Sequence, residues 1–178
     1  KVTGVQTCAL PILAIYGSRT KDFVHYSEPE LIYRKPDSSI IDSAMYEEKG
    51  KFYLFVKSSP NPDNLLLLVS DHVNGKFERV EGFDDSMGAQ TKGMYEAPTA
   101  VKLADGRWCL FADFYGAGCA GQGYVPFVSD DLTKGVFTRA DEAFHFPYGF
   151  KHGTILPITE EEYERMLARD WTDVPDLR

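Results

Sequence analysis

The sequence of 178 residues predicts an all-β fold of the propeller type, and three observations carry this prediction. Short phrases recur along the chain at an interval of roughly 55 residues. Each repeat contains several short apolar runs that are separated by turns rich in Gly, Asp and Asn. Three polar residues also recur at nearly this interval, which places them at equivalent points of successive repeats.

The repeat is clearest in two phrases. Residues 50–55 read GKFYLF, and residues 106–111, which lie 56 positions later (106 minus 50), read GRWCLF. A second phrase, Ser-Asp followed by Phe, occupies residues 70–77 and recurs 59 positions later (129 minus 70) at 129–137. Residues 20–23 look like an earlier, partial copy. Three copies favour a repeat architecture.

One repeat is predicted to contain four strands, at residues 40–46, 51–57, 64–70 and 76–80. Four short strands in about 50–60 residues are typical of one propeller blade. A β-sandwich is the structural alternative, because it also contains many short strands. It does not predict that whole phrases recur at a fixed distance, so the propeller is preferred.

The two ends of the chain are treated separately from the repeats. Residues 2–12 read VTGVQTCALPI, which resembles the translation of a sequencing adapter, so residues 1–12 are expected to be non-native. Residues 13–169 are assigned to a partial propeller domain and residues 170–178 to a polar tail. Beyond the first segment the chain has Cys109 and Cys119, whose spacing predicts neither a metal site nor a disulfide framework.

One short C-terminal helix is predicted. Thr159 and Glu162 have the spacing of a capping box before Tyr163, Met166 and Leu167. The helix is expected to cover the last blade.

Charge and hydropathy mainly exclude function classes. The chain has 27 acidic and 19 basic residues, a net charge of −8, and no Lys- or Arg-rich run. Nucleic acid is therefore not an expected partner. No apolar run approaches the roughly 18 residues of a membrane span, so a membrane is not expected either. A neutral sugar is compatible with this balance. Secreted and cytoplasmic locations both remain open.

The polar residues that recur are Asp42, Glu96 and His152. Their spacings are 54 (96 minus 42) and 56 (152 minus 96). Taken singly, an Asp can bond a turn, a Glu can end a strand, and a His can be a satisfied core residue. On the innermost strands of successive blades, however, three such side chains converge near the central channel. The spacing therefore predicts an active site.

Four segments carry a resemblance to a known family: 41–42 (ID), 95–99 (YEAPT), 123–132 (GYVPFVSDDL) and 152–154 (HGT). Together they resemble glycoside hydrolase family 43, which includes arabinofuranosidases, arabinanases and xylosidases, over residues 15–168. The resemblance implies a five-bladed propeller, of which this chain represents about three blades. It also implies hydrolysis with inversion of arabinofuranosyl or xylosyl linkages in plant cell-wall polysaccharides or oligosaccharides.

The resemblance also implies residue roles. Glu96 matches the general acid, and Asp42 matches the supporting carboxylate that modulates the pKa of that acid. His152 matches a histidine that helps to hold a central ion, which for calcium is expected to act through water. Substrate binding and orientation of the carboxylates are the alternatives for His152. Tyr115 is expected to bind substrate. No cofactor is required, and a central calcium ion is compatible.

The catalytic base is where the sequence departs from the family. In family 43 the base lies on the first blade, and no residue before Asp42 matches it. Asp22 belongs to the phrase of an outer strand, and Asp37 follows Pro36 in a turn. The chain is therefore expected to lack its base and to show little hydrolysis. A non-catalytic carbohydrate-binding propeller and a related five-bladed glycosidase or phosphorylase family are the alternatives.

Overall fold

The computed structural model describes residues 14–80, 82–91, 95–116, 123–144 and 149–169. The segments 2–12 and 170–178, which the sequence set apart, lie outside these residues. In the described part the regular elements are β1 (Ala14–Gly17), β2 (Glu30–Arg34), β3 (Ser39–Glu48), β4 (Lys51–Ser59), β5 (Asn64–Ser70), β6 (Glu78–Arg79), α1 (Phe83–Thr91), β7 (Tyr95–Lys102), β8 (Trp108–Phe114), β9 (Gly123–Ser129), β10 (Thr138–Arg139) and α2 (Glu160–Ala168).

The strands form three antiparallel sheets, in which neighbours in sequence are also neighbours in space. The first sheet pairs β1 with β2, the second has the order β3-β4-β5-β6, and the third has the order β7-β8-β9-β10. A four-stranded antiparallel meander is the shape of a propeller blade. The prediction of an all-β fold is confirmed, and three of the four strands predicted for one repeat differ from β3, β4 and β5 by at most two residues at either end.

The core lies between successive sheets. Along β4, Tyr53 and Phe55 belong to an apolar cluster shared with the third sheet and α1. Leu54 and Val56 point to the opposite face and belong to a cluster shared with the first sheet. This alternation follows from the two-residue period of a strand, and burial on both faces explains why residues 52–56 are all apolar. Each such side chain contributes about 1.5–3 kcal/mol relative to exposure.

The recurring Ser-Asp phrase and its partial copy at residues 20–23 each form a turn in which a Ser or Thr hydroxyl accepts a backbone hydrogen bond. We call this a hydroxyl turn. The side-chain oxygens of Thr20, Ser70 and Ser129 each accept a hydrogen bond from the backbone N–H two residues later, at 3.3, 3.2 and 3.3 Å. Such local bonds compete with the sheet ladder and end the strand. Asp22 lies in the first of these turns, where its Oδ1 accepts from the backbone N–H of Val24 at 2.9 Å.

The helix α1 was not predicted from the sequence. Its segment contains Gly88 and has no clear amphipathic pattern, so its intrinsic helix propensity is low. Tertiary contacts form it instead: Phe83 and Met87 are fully buried, and Ser86 Oγ donates to the carbonyl of Phe137 at 2.8 Å. The packing of the second sheet against the third thus decides the conformation of this connection.

The predicted C-terminal helix is present as α2. Thr159 Oγ1 accepts from the backbone N–H of Glu162 at 3.2 Å, and the Glu162 carboxylate accepts from the Thr159 N–H at 2.7 Å, so the capping box is complete. Tyr163, Met166 and Leu167 are about half exposed or more, so α2 does not cover a blade as expected. Neither helix of the described chain is long and apolar enough to cross a membrane.

Candidate active site

The inner strands of the two four-stranded sheets carry matching bulges. The β3–β4 register shifts between Ile41 and Ala44, and the β7–β8 register shifts between Glu96 and Thr99. Inside these bulges, Asp42 has φ 51° and Ala97 has φ 47°. Non-glycine residues seldom adopt positive φ, so these are two copies of one specialised backbone feature.

His152 shares the positive φ, with φ 41°, although it lies outside the strands. The intervals are equal, since Ala97 lies 55 residues after Asp42 (97 minus 42) and His152 lies 55 after Ala97 (152 minus 97). The structure therefore corrects the predicted equivalence by one position, because Ala97, and not Glu96, is the counterpart of Asp42 in the bulge. The sequence spacings of 54 and 56 could not show which residues are equivalent, because the position of a bulge depends on the backbone conformation.

The structure brings Glu96 and His152 together with Asp113, which the sequence analysis did not select. Glu96 and Asp113 are direct partners across β7 and β8, so their side chains share a face. One oxygen of each carboxylate and one ring nitrogen of His152 lie within 4.8 Å of one another. The only sequence signal for Asp113 is a charged residue inside the apolar run of β8.

Asp113 is fully buried and makes two close contacts with one residue. Its Oδ2 lies 3.1 Å from the backbone N of His152 and 2.7 Å from the ring Nδ1 of the same residue. Burial raises the pKa of Asp113, while the His152 backbone N–H opposes the rise. The His152 side chain is 55% exposed, so the pair links the buried third sheet to its surface.

The segment that carries His152 is tied to β9. The backbone N–H of Tyr124 donates to the carbonyl of Phe150 at 3.1 Å, and the Tyr124 hydroxyl donates to the carbonyl of Gly153 at 3.0 Å. Burial raises the pKa of the Tyr124 phenol, so it remains a neutral donor. These bonds fix the main chain on both sides of His152.

Asp42 is placed by the structure at the junction of the second and third sheets. Its Oδ2 accepts a hydrogen bond from the backbone N–H of Ala97 at 3.1 Å. Ala97 directly follows Glu96, so Asp42 holds the backbone beside the predicted acid. The Glu96 side chain is 27% exposed, and Lys151 Nζ lies 3.9 Å from its Oε1.

Tyr115 lies outside this cluster, in a neighbouring ionic network. Its hydroxyl accepts from Lys57 Nζ at 2.8 Å, and the same ammonium lies 2.7 Å from Asp63 Oδ1 and 5.1 Å from the centre of the Tyr115 ring. The Lys57 side chain is 4% exposed. The hydrogen bond from Lys57 lowers the pKa of Asp63. Lys57 pairs with the residue just before the β3 bulge, as Asp113 pairs with the residue just before the β7 bulge. Each four-stranded sheet therefore buries one charged residue at this position.

The cluster of Glu96, Asp113 and His152 does not have the ligands that a calcium ion prefers. Calcium takes six to eight oxygen ligands, and imidazole is a poor ligand for it. Only two carboxylates and one imidazole converge here, and Oδ2 of Asp113 already contacts the backbone N and the ring Nδ1 of His152. Direct coordination of calcium by this cluster therefore does not fit.

Comparison with known proteins identifies the family. A family model described as a probable glycosyl hydrolase domain, related to glycoside hydrolase family 43, matches residues 7–164. No curated protein matches the chain.

Solved structures with a similar fold are glycosidases. A family 117 glycoside hydrolase of the marine bacterium Zobellia galactanivorans is 15% identical with a TM-score of 0.53, over 71% of this chain and 41% of that one. A family 43 β-1,3-galactosidase is 18% identical with a TM-score of 0.51, over 71% and 25%. A xylan β-1,4-xylosidase of Bacillus halodurans is 15% identical with a TM-score of 0.50, over 86% and 32%.

The matched parts of this chain thus span between 25% and 41% of the length of these structures. At such identities the likeness shows the fold, which is that of family 43 propeller enzymes. The family model covers most of the sequence and shows the family itself. The chain therefore belongs to the family of probable glycosyl hydrolase domains that is related to glycoside hydrolase family 43.

Proposed function

We propose that this chain is part of an inverting glycosidase whose general acid is Glu96. The observation that carries the proposal is a partly exposed carboxylate beside a buried carboxylate that is paired with an exposed imidazole, at the junction of two sheets, in a glycosyl hydrolase family. Cleavage of a glycosidic bond requires proton donation to the leaving oxygen and attack by an activated water or a carboxylate. Glu96 is accessible enough to reach such an oxygen.

Asp42 takes a supporting role in this proposal. It accepts a hydrogen bond from the Ala97 N–H, which fixes the main chain next to Glu96, and its carboxylate lies on β3 of the neighbouring sheet. A carboxylate so placed acts on the acid through position as well as through charge.

The proposed substrates are arabinofuranosyl or xylosyl linkages of plant cell-wall polysaccharides or oligosaccharides. The family 43 resemblance supports this class, and a xylosidase is among the structures with a similar fold. The net charge of −8 suits a neutral sugar better than an anionic one. The proposed partner is thus a carbohydrate, with Tyr115 and His152 as further contacts.

The general base is proposed to lie outside the described residues. An inverting pair is separated by about 6.5–9.5 Å to leave room for water. Asp113 approaches Glu96 within 4.8 Å and is fully buried, so it can neither hold that water nor attack a sugar. Asp22 is engaged in its turn, and Asp37 accepts a hydrogen bond from Asn61. The 178-residue chain alone is accordingly expected to show little hydrolysis.

The complete ring is proposed to have five blades, with the second and third sheets as two of them. The first sheet corresponds to the outer half of a third, because β1 is followed by the same hydroxyl turn as β5 and β9. We also propose that a calcium ion can bind on the ring axis, where it would contact His152 through a water molecule and not directly. Calcium should then raise the melting temperature of the full-length protein, and His152→Ala should abolish the rise.

The function is tested on the full-length protein with arabinose- and xylose-containing oligosaccharides. Glu96→Gln should lower turnover by about 10²-fold or more, because proton donation is lost. Glu47→Gln is the matched control, since Glu47 is an exposed glutamate of β3 and should leave turnover unchanged. Proton NMR of the first product should show the inverted anomer.

Sugar binding without hydrolysis by the full-length protein would instead establish a non-catalytic binding propeller. Hydrolysis or phosphorolysis restricted to other sugars would assign the chain to a related five-bladed family. Retention of the anomeric configuration would contradict the inverting mechanism.

A further inference from the structure

The pairing of Asp113 with His152 has a consequence for the chemistry of the imidazole. Asp113 Oδ2 lies 2.7 Å from Nδ1, while the backbone N–H of His152 reaches the same carboxylate at 3.1 Å. A neutral imidazole has one N–H and one lone pair, and the partner of one nitrogen decides which nitrogen carries the proton. A carboxylate that accepts at Nδ1 places the proton there.

We propose that Asp113 is a positioning residue that holds His152 in its Nδ1–H tautomer, so that Nε2 faces the site as an acceptor for a substrate hydroxyl. The identity of that hydroxyl as part of a sugar rests on the proposed glycosidase function. The tautomer itself depends only on the geometry of the pair.

The direction of Nε2 follows from the placement of the ring. Nδ1 faces the fully buried Asp113, and Nε2 lies on the opposite edge of a side chain that is 55% exposed. Within the described residues no group forms a hydrogen bond with Nε2. The Glu96 carboxylate lies within 4.8 Å of the pair, so a hydroxyl held at Nε2 is adjacent to the proposed acid.

The backbone reinforces this orientation. His152 has φ 41°, a left-handed conformation that is unfavourable for a residue other than glycine. The bond from its N–H to Asp113 and the contacts of Tyr124 with Phe150 and Gly153 hold it there. Main chain and ring are thus fixed by one carboxylate. Strain that is retained in this way is typical of functional positions.

The experiment is long-range ¹H–¹⁵N NMR of the histidine rings in the protein. The chain has four histidines, and His152→Gln identifies the signal of His152 by its loss. The wild-type ring should show a protonated Nδ1 and an unprotonated Nε2. In Asp113→Asn the amide oxygen can accept the backbone N–H while its NH₂ donates to Nδ1. The proton should therefore move to Nε2, as expected when an amide replaces a carboxylate beside a histidine.

Asp42→Asn is the matched control. Asp42 also accepts a backbone N–H from a residue with positive φ, but no bond joins it to the imidazole. This variant should leave the tautomer of His152 unchanged. An Nε2–H tautomer in the wild type, or the same tautomer in Asp113→Asn as in the wild type, would overturn the proposal.

A sugar titration tests the acceptor role. Arabinose or xylose added to the full-length protein should shift the Nε2 signal of the wild type, and Asp113→Asn should bind the sugar about fivefold more weakly, the effect of one lost hydrogen bond of about 1 kcal/mol. Sugar binding without a shift at Nε2 would contradict the acceptor role. Failure of the glycosidase function would appear separately, as absence of hydrolysis with the predicted tautomer intact.

Discussion

Asp42 and Ala97 lie on the inner strands of neighbouring sheets, and the carboxylate of Asp42 accepts the backbone N–H of Ala97 at 3.1 Å. The positive-φ residue 55 positions after Ala97 repeats this relationship, because the N–H of His152 is accepted by Asp113 at 3.1 Å. The first carboxylate comes from the first strand of its sheet and the second from the second strand. In both cases a carboxylate accepts the N–H of a residue with positive φ, but the carboxylate comes from a different position of the repeat.

The bond to Ala97 predicts that two substitutions of Asp42 differ in stability. Asp42→Asn keeps an acceptor oxygen, so its unfolding free energy should stay within about 0.5 kcal/mol of the wild type. Asp42→Ala leaves the N–H without its partner and should lose about 1–3 kcal/mol. Urea unfolding at neutral pH measures both. Equal stabilities of the two variants would show that the bond does not hold the sheets together.

The Lys57–Asp63 pair predicts a specific dependence on pH. The pKa of Asp63 is lowered by Lys57, so the carboxylate stabilises the fold above its unfolded pKa of about 3.9, and this stabilisation is lost as the pH falls through the lower folded pKa. Asp63→Asn should cost about 1 kcal/mol at pH 7, a modest value because the carboxylate is half exposed.

The cost of Asp63→Asn should shrink towards zero at a pH well below the ordinary range of an aspartate. Urea unfolding of both proteins at several pH values measures the difference. A cost that stays constant down to strongly acidic pH would rule out the ionic origin of the stabilisation.

Two glycines with positive φ provide a matched comparison. A Cβ at Gly123 (φ +88°) would lie 2.6 Å from the carbonyl oxygen of Phe150, whereas a Cβ at Gly106 (φ +91°) meets nothing within 4 Å. Gly106→Ala should cost about 1–2 kcal/mol from backbone strain alone. Gly123→Ala should cost a further 1–3 kcal/mol, since the segment that carries His152 must move.

Thermal unfolding and the NMR signal of His152 test this comparison. The signal should shift in Gly123→Ala and stay in place in Gly106→Ala. Equal destabilisation by the two variants would mean that the segment from Gly149 to Gly153 is not fixed by its contact with β9.

Cys109 should be chemically inert in the folded protein. It is fully buried, and burial raises the pKa of its thiol to about 12, so the reactive thiolate is scarce at pH 8. Iodoacetamide followed by peptide mass mapping should leave Cys109 unmodified until urea is added. Modification of the native protein at Cys109 would show that the third sheet opens locally.

Much of the fold was predictable because it depends on patterns within each repeat. The apolar runs of β4 and β5 and the Ser-Asp phrase after β5 are local features, and they were recognised from spacing. The helix α1 was not, because Phe83 and Met87 form it through burial against other sheets. The helix propensity of residues 83–91 does not indicate which other sheets these two side chains will pack against.

The site was predictable only in part, for a similar reason. Glu96 and His152 could be selected from their spacing at the repeat interval and from their resemblance to a family, and they do lie together. Asp113 could not be selected, because only folding places it opposite Glu96 in the β7–β8 ladder and in contact with His152. Asp42 is equivalent to Ala97 and not to Glu96 because both have a positive φ. Neither Asp nor Ala as a residue type predicts that conformation.

The central claim is that Glu96 donates the proton to the leaving group. The most direct measurement is hydrolysis of aryl glycosides with leaving groups of different pKa by the full-length protein and Glu96→Ala. Substrates with poor leaving groups should lose about 10²–10⁴-fold in kcat/KM, while substrates with activated leaving groups should stay close to the wild type, because a good leaving group needs no proton. Equal loss on both kinds of substrate would contradict the assignment of Glu96 as the general acid.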